Sequence, residues 1–101
     1  MSLSLIDPTV PELAIELASE LHETEMFNRI SIDRDYELGT CSVTVMRKIG
    51  LGEFTFKVNI TEEDRINPIF SDRMVHKITE AMTYDACRNR LLYGKSTHIE
   101  V

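Results

Sequence analysis

A chain of 101 residues, 43% apolar, 28% charged and carrying a net charge of −6, has the composition of one folded globular domain rather than of a disordered or fibrous chain. No apolar run approaches the ~20 residues that cross a bilayer, and the opening MSLSLI is too short, and lacks the positive flank, for a secretory signal. The expectation is a single cytoplasmic domain over residues 1–101, without membrane contact and without the basic face that a free nucleic-acid binder needs to displace counterions.

The charge is unevenly placed. Residues 1–40 hold nine acids against Arg29 and Arg34, whereas residues 41–101 hold eight acids against nine bases. Thr9-Val10-Pro11-Glu12 has the form of a capping box with proline in the first turn, where its missing N–H costs nothing, and predicts a helix from Val10 to about Phe27. Val10, Leu13, Ala14, Leu17, Ala18 and Leu21 form its apolar stripe. Glu12, Glu16, Glu20 and Glu23 recur on another side with no Lys or Arg among them. Such a row is a solvated face, or a ridge that docks a basic protein surface in the manner of a phosphate backbone.

From Ile30 the chain alternates through Ile32, Arg34, Tyr36 and Leu38, which predicts a strand. The short connection Glu37 to Thr40 favours antiparallel pairing with the strand that follows. Thr40 to Ile60 reads as a β-hairpin. Cys41, Val43 and Val45 are apolar at odd positions, while Phe54, Phe56, Val58 and Ile60 are apolar at even ones. Both rows share a face only in registers such as the one placing Val45 opposite Phe56, Val43 opposite Val58 and Lys48 opposite Glu53. A slip by one residue would turn every Phe and Val of the second strand outward.

Thr61 to Asp64 starts a helical turn that Pro68 cuts short. Ser71 is the next cap expected, with a helix to Tyr93 and Gly94 as its left-handed stop. The closing STHIEV is a frayed tail or a short added strand. Together these elements predict an α+β domain in the order α-β-β-β-α, a three-stranded antiparallel sheet with both helices packed on one face.

That order is also the order of double-stranded RNA-binding domains. Those place basic residues at the start of the last helix, whereas SDRMVHKITEA here sets Asp72 and Glu80 among Arg73 and Lys77, so the likeness is one of element order alone. Small acidic inhibitors that phages direct at host machinery are similar in size, charge and mixed α/β content, with no residues in common. No family follows from either comparison.

The last helix is irregular. Met74, Val75, Ile78, Ala81 and Met82 share one side, but continuing that side downward brings Asp85 and Asn89 to its centre while Tyr84, Cys87 and Leu91 rotate away. Its second half either projects into water or holds Asp85 as a satisfied buried carboxylate, or it is covered by a second subunit through Tyr84, Cys87 and Leu91. Asp85, Arg88 and Asn89 could alternatively floor a ligand pocket.

His22, His76 and His98 stand far apart, with no H-x-x-x-H and no C-x-x-C, so no metal site is expected. No G-x-S-x-G occurs, and no histidine can be placed beside Cys41 or Cys87 to activate a thiolate; both are expected as free thiols. The IGLG turn joins two strands rather than a strand and a helix, so it is no phosphate cradle. Arg47, Lys48 and Arg88 remain as possible anion contacts.

Three readings follow. The first is a non-catalytic acidic protein that self-associates, as a dimer before any higher form, and docks on another macromolecule. The second is an acidic inhibitor or nucleic-acid mimic using Glu12, Glu16, Glu20 and Glu23. The third is an anion- or nucleotide-binding oligomer using Arg47, Lys48 and Arg88. None of them calls for a cofactor.

Overall fold

Thr9 caps the first helix as its spacing demands: its side chain accepts the Glu12 amide at 3.2 Å, and Glu12 Oε1 accepts the Thr9 amide at 2.9 Å. In the computed structural model, which describes residues 8–87 and 94–101, this helix is α1, Val10–Glu23. It buries Val10, Leu13, Ala14, Leu17 and Leu21. It ends short of Phe27 because Thr24 Oγ1 donates to the Leu21 carbonyl at 2.6 Å and Glu25 turns left-handed at φ 56°.

Strands β1 (Arg29–Asp35), β2 (Thr40–Ile49) and β3 (Gly52–Ile60) follow as an antiparallel meander. The hairpin register is the expected one, with Cys41 opposite Ile60, Val43 opposite Val58, Val45 opposite Phe56 and Lys48 opposite Glu53. Gly50 takes φ 58° in the two-residue turn, the positive angle such hairpin turns require. β1 is shorter than its alternation suggests. Asp35 Oδ1 accepts the amides of Glu37 and Leu38 at 3.0 and 3.1 Å, an Asx turn that draws the chain out of the sheet and leaves Tyr36 and Leu38 exposed.

A 3₁₀ turn at Glu62–Ile66 leads to α2, Phe70–Cys87. Ser71 is not its cap. Asn67 Oδ1 accepts the Ile69 amide at 3.1 Å ahead of the helix, which starts at Phe70 and leaves Ser71 buried inside the first turn with its hydroxyl unpartnered. The predicted continuation to Tyr93 lies outside the described residues; Gly94 does adopt the left-handed angle expected after a helix, φ 79°.

The predicted three-stranded antiparallel sheet needs one correction. Ser96–Glu100 forms a fourth strand, β4, parallel to β3, and the sheet is mixed with the order β1-β2-β3-β4. A parallel neighbour requires a crossover, and α2 is that crossover. Asn59 and Val101 close the ladder: Asn59 N–H donates to the Val101 carbonyl at 2.8 Å, and Val101 N–H to that of Lys57 at 2.9 Å.

One core unites these elements. Phe54, Phe56, Val58 and Ile60 of β3 and Cys41, Val43 and Val45 of β2 meet the α1 stripe and Phe70, Ile78 and Met82 of α2, all nearly inaccessible to water. The opposite sheet face carries Thr44, Thr55, Lys57, Asn59 and His98, and among the described residues no helix covers it.

Candidate functional site

Among the described residues, a long open concavity lies between α2 and β4. It encloses about 940 Å³, with Met74 and Ala81 of α2 on one wall and Ile99 of β4 on the other. Sequence pattern and topology place it together. Alternation on β4 turns Thr97 and Ile99 to the core side, opposite Phe54 and Phe56, while α2 sends Ile78 and Met82 into the core it shares with α1. Among the described residues no helix continues the upper layer beyond Ile99, and the trough is open there.

The outer lip is Ile69, just ahead of α2, and a stripe of α2 opposite Ile78: Arg73, His76, Lys77, Glu80 and Tyr84. Ile69 is 52% exposed and Tyr84 58%. His76 Nε2 lies 2.9 Å from Glu80 Oε2, an i,i+4 pair on the solvent side. Asp85 stands at the far end, only 5% exposed, with Oδ2 buried and without a hydrogen-bond partner. Of the alternatives for this half of the helix, projection of Asp85 into water is excluded, and its carboxylate is buried with Oδ2 unsatisfied.

Of the self-association residues expected from sequence, Tyr84 lies on this lip. The Cys87 side chain, Leu91, Arg88 and Asn89 lie outside the described residues. Arg47 and Lys48 are not brought together. Arg47 belongs to the core-side row and donates through Nη1 to the Met26 carbonyl at 2.7 Å, tying the α1–β1 connection to β2. Lys48 is exposed on the other face, opposite Glu53. Among the described residues no three His, Cys, Asp or Glu side chains converge as metal ligands. Cys41 is a buried free thiol. Also among the described residues, no helix is long and apolar enough to cross a membrane.

The four-glutamate ridge is uneven. Glu12 is held in the capping box, and its hydrogen bonds to the Thr9 backbone and side chain lower its pKa. Glu16 and Glu23 are exposed. Glu20 is half-buried, with its pKa raised by desolvation and then by Asp72, Glu16 and Glu23. A carboxyl raised in this way holds its proton more tightly folded than unfolded. It adds stability as pH falls through the raised value, fully so below its ordinary 4.5, and opposes folding when charged. Glu20→Gln is therefore expected to stabilise the fold at pH 7 by about 0.5 kcal/mol, the scale of two relieved like-charge helix pairs. That gain should vanish below about pH 4. Urea unfolding at both pH values checks it; an equal gain at each would show that charge is not the cause.

The residues missed from sequence are Ile69, Arg73, Lys77, Glu80 and Ile99. The helical recurrence of Arg73, Lys77 and Glu80 opposite Ile78 was visible, but a polar lip looks like any solvated face until Ile99 of β4 is placed beneath it. A second, smaller cleft lies between α1 and the free edge of β1, beside Ile15 and Ile32, which are 59% and 39% exposed. Compared with models of protein families, with characterised proteins and with solved structures, the chain matches none of them.

Proposed function

We propose that this chain is a non-catalytic interaction protein that associates with itself and, in that form, docks on another macromolecule. The open α2–β4 trough carries the reading. Along α2 it runs from Asp72 to Asp85, about 20 Å of helix, longer than a small-molecule pocket needs and shaped for an elongated apolar element. Its walls are aliphatic and its lip is charged, the arrangement of an interface with an apolar centre and a polar rim. The macromolecule docked presents a basic surface, because exposed Glu16 and Glu23 with half-buried Glu20 leave α1 strongly acidic.

Light scattering tests the first half and capture from the native source the second. A mass well above the 11.6 kDa of one chain at micromolar concentration is expected; a single-chain mass throughout would sink self-association. Glu16→Lys with Glu23→Lys should abolish capture of the partner and leave the self-associated mass unchanged. Undiminished capture would remove the acidic face from the reading.

A further inference from the structure

We infer that two copies pair through α2 as antiparallel helices, on a two-fold axis passing between His76 and Lys77. This rests on the self-association reading and specifies its surface. The exposed stripe of α2 is self-complementary about that point. Rotating the helix about such an axis sets Arg73 opposite Glu80 of the second copy, and Ile69 opposite Tyr84 of the second copy, each contact occurring twice as a two-fold interface requires. At the axis His76 faces Lys77 of the second copy; on either side of it the Arg73 and Glu80 charges are opposite, and the two large exposed apolar side chains of the stripe meet each other.

The geometry around the stripe agrees. Antiparallel helices set the positive end of each backbone dipole beside the negative end of the other. Each α2 then lies along the other copy's trough, over Met74, Ala81 and Ile99, surfaces that one chain leaves half-covered. Glu80 engages His76 through Oε2 alone, so Oε1 remains for a guanidinium from the second copy. Among the described residues Arg73 has no ion-pair partner in its own chain.

Sliding the pair by one helical turn gives the competing register. There Lys77 meets Glu80 and Arg73 meets Tyr84, but Ile69 passes beyond Tyr84 and loses its apolar contact. Matching of the apolar side chains selects the first register.

Sedimentation of charge-swapped chains tests the register. Arg73→Glu and Glu80→Arg, both at exposed positions, should each weaken the dimer roughly tenfold, because each creates two like-charge contacts. Mixing the two variants should produce heterodimers of near wild-type affinity, since both cross-contacts are again opposite in charge. Far-UV circular dichroism should show the variants as helical as the parent. A dimer indifferent to both changes, with no preferred heterodimer, overturns the register while leaving self-association intact. Rescue by mixing Lys77→Glu with Glu80→Lys instead assigns the slid register and overturns this one. A monomeric parent chain overturns both the register and the reading beneath it.

Discussion

Phe56→Ala is expected to cost about 3–5 kcal/mol of folding stability, a large share of the roughly 5–15 kcal/mol that holds a domain together. Phe56 is 1% exposed. It stands opposite Val45 on β2 and Ile99 on β4, with the Phe54 ring centroid 6.4 Å away, so truncation leaves a void walled by two strands and the helices above them. Close-packed interiors collapse only partly around such a void, and the lost transfer energy adds to the lost contacts. Thr55→Ala, one residue away on the outer face, is the control and should change stability by no more than about 0.5 kcal/mol. Urea midpoints at unchanged slope measure both. Similar shifts for the two variants would mean that β3 does not present its even positions to the core.

Removing Ser96–Val101 is expected to cost about 3–5 kcal/mol, from net hydrogen-bond contributions near 1 kcal/mol each together with re-exposure of Phe54 and Phe56. Five residue pairs tie β4 to β3, and the bonds from Asn59 to Val101 and from Val101 to Lys57 extend the ladder. Without them β3 becomes an edge strand with unpaired backbone groups, a surface prone to unwanted strand pairing. Hydrogen exchange should accelerate first in β3 while the β1–β2 ladder keeps its protection. The truncated chain should also lose the self-association proposed above, because Ile99 forms one wall of the trough. A truncated protein as stable as the full chain would reduce β4 to an ornament of the sheet.

The hairpin was legible because alternation in β2 and β3 leaves few registers in which both apolar rows share a face. The α1 stripe was legible for the same kind of reason: its buried residues recur at helical spacing, and its cap is local in sequence. Where short polar side chains competed for the backbone, the reading went astray. Asp35 ended β1 early, Thr24 ended α1 early, and Asn67 displaced Ser71 from the start of α2. Each involves a bond over two or three residues that propensity and periodicity do not reveal.

The candidate site was legible only in part. Tyr84 stood out because it leaves the α2 stripe, and the acidic row of α1 stood out by its spacing. The trough itself did not, since its walls come from α2 and from a six-residue tail too short and too polar to declare itself a strand.

By itself, the sequence determined which faces of α1, β2, β3 and the first half of α2 are buried, because burial there follows from periods of 3.6 and 2 along contiguous residues. Only the tertiary structure decided that Ser96–Glu100 returns parallel to β3, that Ile99 and the α2 stripe border one trough, and that Arg47 anchors a loop while Lys48 faces away. The physical reason is separation along the chain: β4 and β3 meet across about forty residues, and no local rule records which distant edge a strand will find.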